Sequence, residues 1–218
     1  MPSQVLGEVL SAPDTAFDEL TFDGLVGMAF SPLAQIPNNP IVAQMIQRKL
    51  LSPGIFSFWL SPQVGNRGGA LTLGGYNSKY YEGPIKWMSL TSAAYWSVKH
   101  DHILVGKTKI LGGTRAILDT GTSLIMGTPK AVNRLNKLIG AYQPEGEGED
   151  SWAVDCNRVA SLPTITFVLD GGKQFPLEGH DYIIESEGVC LTGFAAGDLT
   201  NDEDEPAWLV GDAFLRAW

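Results

Sequence analysis

Apolar positions along the chain fall in short runs broken by glycine, proline and small polar residues, the spacing expected of a mainly β protein with tight turns. "PGIFSFWLS" (53–61) sets Ile55, Ser57 and Trp59 on one side of a strand and Phe56, Phe58 and Leu60 on the other, a run apolar enough to predict cover on both faces. "GGALTLGGYN" follows as a second strand between glycine pairs. "LPTITFVLDGGKQFPLE" alternates Ile165, Phe167 and Leu169 against Thr164, Thr166 and Val168, and Asp170-Gly171-Gly172 supplies the turn of a hairpin. Only two segments carry a helical period. In "NNPIVAQMIQRKLL", Asn39 is the N-cap, Pro40 takes the first helical position, and Ile41, Val42, Met45 and Ile46 recur at helical intervals up to Lys49 in the last turn. In "GTPKAVNRLNKLIGA", Thr128 caps, Pro129 follows, Val132, Leu135, Leu138 and Ile139 form the stripe, and Gly140 stops the helix. Both stripes are predicted to face the core. "EGEGEDS" and "LTNDEDEPA" read as solvated acidic loops.

Composition narrows the function classes. The 218 residues fit one large domain or two small ones, and a content of 44% hydrophobic and 18% charged residues with Gly 25 and Pro 13 suits a folded, turn-rich chain. A net charge of −9 without clustered Lys or Arg argues against nucleic acid as a partner. No apolar run reaches the length of a membrane span, and the start lacks the order of a signal peptide, so the reading is a soluble chain whose address label lies outside this sequence. His100, His102 and His180 have no zinc-site spacing, which predicts no metal and places them at the surface. Ser123 lacks the Gly-x-Ser-x-Gly elbow, and "GGALTLGG" lacks the Lys-Ser/Thr of a phosphate loop. Cys156 and Cys190 are compatible with two buried thiols or with one disulfide, which would close a loop of about 35 residues and contribute roughly 4 kcal/mol.

The stretch with the clearest chemistry is "AILDTGTSLIMGT" (116–128). It places one aspartate, Asp119, between apolar residues and a run of small hydroxylated and glycine residues, as a buried tight turn presenting a carboxylate would require. Two other stretches echo each other: "FDGLVGMAF" (22–30) and "AWLVGDAF" (207–214), each with Leu-Val-Gly in a hydrophobic frame. Each is predicted to be a buried strand packed against a carboxylate turn. On that reading the chain holds two such strands and one such turn, and the other turn is expected upstream of Met1.

"AILDTGTSLIMGTP", "FDGLVGMAF", "IFSFWLS", "GGALTLGGYNSKYYEGPIKWMSL", "AYWSV" and "AWLVGDAFLRAW", in that family's order, resemble the second half of a pepsin-like aspartic endopeptidase of the cathepsin D and vacuolar branch. The resemblance implies a mainly β, pepsin-like fold with two short helices. Residues 1–90 would be the end of the N-terminal lobe with the interlobe strands, and residues 91–218 the C-terminal lobe. It implies Asp119 as one of two catalytic aspartates and Thr120 as the hydroxyl reaching across the cleft base. Gly121 would let its amide approach the carboxylate, and Thr122 would bond the outer carboxylate oxygen. Ile117 and Leu118 would anchor the turn, Asp212 would support the cleft, and Tyr95 would lie near its primed side. Cys156 and Cys190 match the family's second-lobe disulfide.

By the same resemblance the substrate is a peptide or protein, no cofactor or metal is needed, and the location is lysosomal, vacuolar or secreted. The first-lobe Asp-Thr-Gly turn and flap are expected before Met1, the strands completing the second lobe after Trp218, and "KTKILGGTRAILD" lacks a cysteine pair of lysosomal members. The chain is therefore expected to be inactive alone. Either it is the heavy part of a two-chain enzyme whose light chain supplies the other aspartate, or it is a truncated product. A non-catalytic peptide-binding or decoy protein and a pairing of two copies are the alternatives. Apolar surface in residues 1–90 is expected to lack cover.

Overall fold

The structure is a computed structural model, and it describes residues 4–11, 22–36, 40–62, 68–111, 114–145, 151–197, 199 and 205–218. In chain order the elements begin with α1 (Ile41–Gln47), β1 (Phe56–Leu60), β2 (Gly69–Leu73), β3 (Ser97–Val105), β4 (Thr108–Ile110), β5 (Arg115–Leu118) and β6 (Ile125–Gly127). They continue with α2 (Pro129–Leu138), β7 (Ala153–Val154), β8 (Ile165–Leu169), β9 (Lys173–Leu177) and the single turn α3 (Gly179–Tyr182). The last are β10 (Ile183–Ser186), β11 (Val189–Thr192), β12 (Phe194–Ala196), β13 (Ala207–Val210) and a second single turn, α4 (Asp212–Leu215).

The main sheet runs β12-β6-β13-β5-β3-β8-β9, with β4 folded back on β3. Besides β4, β3 serves two partners: Ser97 to Lys99 pair with β5, and His100 and, past an irregularity, His102 to Val105 pair with β8. β8 and β9 form the hairpin expected from the alternation of 162–178. Its turn forces Asp170, Gly171 and Gly172 to φ +41, +77 and +98, a region in which two glycines are at ease. β10, β11 and β7 make a small second sheet. A disulfide between Cys156 and Cys190 ties β11 to the segment before β8.

Alternation and period place the core. Ile165, Phe167 and Leu169 of β8 are fully buried, and Trp208 of β13 lies in an aromatic cluster with Phe167 and Phe214. α2 starts with Thr128 at the cap and Pro129 in its first turn, and it ends before Gly140, whose φ of +75 terminates the helix. Its Val132 and Leu135, with Ile139 at the C-cap, face the core, each contributing up to about 2–3 kcal/mol. Leu138, expected on the same stripe, is exposed, because it falls beyond the edge of the face that α2 lays on the sheet.

Residues before the main sheet are organised differently. Among the described residues, the buried apolar side chains ahead of Val98 are Val42 and Leu51 alone. Among the described residues β1 and β2 pair only with each other and no layer covers Phe58, Leu71 and Leu73, so the expected two-sided cover of β1 is not realised. α1 begins at Ile41, with Pro40 as its N-cap and not inside it, and ends at Gln47; Lys49 lies past it at φ +56. Asn39 lies outside the described residues, as do most of the two acidic loops. Only Val42 of the α1 stripe is buried, since no layer of the described chain covers the rest. "FDGLVGMAF" forms no strand, and Leu25 and Val26 are exposed. Trp96 joins this part to the sheet: its indole N–H donates to the Met28 carbonyl at 3.0 Å and its ring meets Phe30 and Phe56.

Candidate active site

β5 is a parallel neighbour of β13, and β13 is an antiparallel neighbour of β6. The connection from β5 to β6, residues 119–124, therefore crosses the end of β13. Ala116 and Ile117 bury the strand that delivers it, and Leu118 is half-buried. The backbone of this crossing is bonded from both sides. Leu118 N–H donates to the Trp96 carbonyl at 2.9 Å and Asp119 N–H to the Val210 carbonyl at 3.1 Å. From the far side, the amides of Gly211, Asp212 and Ala213 donate to the carbonyls of Leu124, Thr122 and Ser123 at 3.1, 2.7 and 3.0 Å. A turn bonded in this way on both sides has little freedom to relax.

The Asp119 side chain is half-buried and held at both oxygens. Gly121 N–H donates to Oδ1 at 2.9 Å, and the Thr122 hydroxyl donates to Oδ2 at 2.7 Å. Hydrogen bonds to an ionised carboxylate are the strong kind, and two of them fix its plane. A Cβ on residue 121 would lie 3.2 Å from Oδ1, so a side chain there would press on the carboxylate. Thr120 is exposed, and its hydroxyl has no hydrogen-bond partner among the described residues.

Asp212 opens α4 directly beneath this turn. Burial pushes its carboxyl above the usual carboxylate range, the Arg216 guanidinium pulls it back, and the charge of Asp119 adds to the rise. Arg216 Nη2 stands 3.4 Å from Asp212 Oδ2. The charge of Asp119 is thus felt at Asp212. Tyr95 is exposed and adjoins Trp96, whose carbonyl anchors Leu118. The structure therefore gathers Ile117, Asp119, Thr120, Gly121, Thr122 and Asp212 at one crossing, with Tyr95 on the segment that anchors it. Cys156 and Cys190 sit elsewhere, on the small-sheet side.

The histidines depart from expectation. His100 is buried against Phe167 and Trp208, because β3 turns it into the aromatic cluster, while His180 is at the surface. Among the described residues no group of three or more His, Cys, Asp or Glu gathers to hold a metal. An apolar cavity of about 340 Å³ lies away from Asp119, lined by Val5, Leu6, Leu25, Val26, Phe30 and Ile36 among others. It belongs to the uncovered early part of the chain. Gly211 and Arg216 were missed as site residues. A Cβ on residue 211 would drive into the Thr122 carbonyl, and Arg216 follows Asp212 by four residues, a helical interval legible in "DAFLR".

A mainly β body with few short helices is consistent with the pepsin-like aspartic protease fold. The chain belongs to the eukaryotic aspartyl protease family, which it matches over residues 1–218. It is 38% identical to gastricsin of Oryctolagus cuniculus over 221 residues, covering all of this chain and 56% of that protein. It is 38% identical to cathepsin D of Gallus gallus over 220 residues, covering 98% of this chain and 54% of that protein. With cathepsin D of Canis lupus familiaris the identity is 39% over 222 residues, 99% of this chain and 53% of the relative. The chain spans about half the length of these curated relatives. No helix of the described residues is long and apolar enough to cross a membrane.

Proposed function

We propose that this chain carries one of the two aspartates of an acid endopeptidase, Asp119, and that the second is supplied from outside the described residues, by a light chain or a further segment. The observation that carries the reading is the doubly bonded Asp119 carboxylate at the crossing above β13. Two carboxylates about 3 Å apart cannot both ionise, the behaviour for which aspartic proteases are the standard example. The pair keeps one proton and titrates as a unit. Its ionised member draws a proton from a bound water while the protonated member polarises the scissile carbonyl, and no covalent intermediate forms.

In this reading Gly121 and Thr122 hold the plane of the Asp119 carboxylate, Thr120 faces the opposing lobe, and Tyr95 lines the substrate cleft. Residues 91–218 form the C-terminal lobe, and residues 1–90 belong with the other lobe. The burial contrast on the two sides of Val98 supports that division. The substrate is a peptide or protein, and the location is lysosomal, vacuolar or secreted. The test is Asp119→Asn in an assembled two-aspartate enzyme. Peptide cleavage at acid pH is expected to fall by about a thousandfold while peptide binding persists. Cleavage that survives the substitution sinks the assignment.

A further inference from the structure

Three consecutive amides, those of Gly211, Asp212 and Ala213, zip the start of α4 to the underside of the Asp119 turn. The main chain that carries the Asp212 carboxylate is therefore tied to the turn. Its Oδ2 meets Arg216 at 3.4 Å, one helical turn on, and its Oδ1 is buried without a hydrogen-bond partner among the described residues. A carboxylate so placed has burial and a neighbouring anion working against its charge, and one cation working for it.

Among the described residues of the elements most in contact with α4, His180 is the one other basic side chain. β1, β6 and β13 carry no ionisable side chain, and α3 carries His180, Asp181 and Tyr182. His180 and Asp181 face each other at 3.4 Å, Asp181 also accepts the Glu178 amide, and the Tyr182 hydroxyl donates to the Pro163 carbonyl.

We propose that Arg216 is a positioning residue for the Asp119 turn: paired across one turn of α4, it holds Asp212 as an anion and so fixes the charge next to Asp119. The proposal rests on the reading of Asp119 as an acting carboxylate. The three amide bonds that tie the start of α4 to the turn keep the charge of Asp212 beside the Asp119 turn. Without the guanidinium, Asp212 takes up a proton at higher pH, and above that midpoint its negative charge faces the turn without a counter-charge.

The test is carbon-13 carboxyl NMR of aspartate-labelled full chain, with the Asp212 resonance assigned by its loss in Asp212→Asn. In Arg216→Gln the Asp212 midpoint is expected to rise by about one pH unit, and Arg216→Lys is expected to restore at least about half of the difference. Arg216→Met, which keeps the aliphatic stem, replaces the glutamine variant should that one fail to fold. A midpoint that moves by less than about 0.2 unit in a folded neutral variant overturns the proposal, as does a lysine variant no different from the neutral one. In an assembled peptidase, Arg216→Gln also moves the pH profile of kcat/KM to higher pH, since an Asp212 anion stripped of its counter-charge makes the acid pair harder to ionise; an unmoved profile severs the link to Asp119. The titration needs no turnover, so a lack of cleavage counts against the peptidase reading and leaves this result standing.

Discussion

Asp119 owes its fixed plane to partners two and three residues away, which is why Gly121 and Thr122 could be singled out from "DTGTS" alone. Contacts that local are written into consecutive letters. Gly211, Arg216 and Trp96 act on the same turn from β13, α4 and the start of β3, and such distant approaches leave no mark in short-range pattern. A second carboxylate shows the same logic on a structural task. Asp101 Oδ2 accepts the amides of Gly171 and Gly172 at 2.9 and 3.0 Å, with Lys99 at 3.5 Å from Oδ1. Burial alone would raise its carboxyl, but the Gly172 and Gly171 amides and Lys99 outweigh it and hold the group below 3.8. A depressed folded value contributes stability above the unfolded value, lost as pH falls through the folded one. Asp101→Asn is thus expected to cost about 1 kcal/mol in urea unfolding at pH 6 and almost nothing near pH 2. An equal cost at both pH values contradicts the ionic account.

At the scale of elements, the comparison of "FDGLVGMAF" with "AWLVGDAF" is instructive. Both have the same Leu-Val-Gly frame, yet only 207–210 is a strand, because β5 and β6 flank it on both sides and bond its backbone. A strand is a property of neighbours as much as of its own letters. The β8–β9 hairpin was legible because its neighbour lies within the same seventeen residues, and α2 because cap, stripe and glycine stop are all local. The single turns α3 and α4 are too short to show a period. The site depends on close packing between α4 and the carboxylate turn, and Gly211 is where that packing is tightest. Its backbone would tolerate a side chain, with φ −96, but its surroundings would not. Gly211→Ala is expected to destabilise by about 3 kcal/mol, more than the about 1 kcal/mol for Gly140→Ala at its positive φ. Thermal unfolding of the two variants checks the order, and a neutral Gly211→Ala would refute the packing of α4 against the turn.

On the scale of the whole molecule, the apolar side chains divide sharply. Trp208, Tyr182, Phe167 and Phe194 are fully buried in the later part, while Leu6, Leu10 and Leu25 of the earlier part are each at least 79% exposed. Uncovered apolar surface of this extent calls for a partner surface. The proposed second half that supplies the other acid would also cover this surface. Sequence pattern suggested the deficit because apolar strands can be counted without knowing their partners; which faces lie bare required coordinates. The most direct measurement is peptide cleavage at acid pH by the purified monomeric chain, alone and mixed with a polypeptide corresponding to the first half of the relatives. No turnover alone, and turnover on mixing that is lost with Asp119→Asn, is the predicted result. Robust cleavage by the monomer without the added half would contradict the claim that Asp119 needs a second acid from outside.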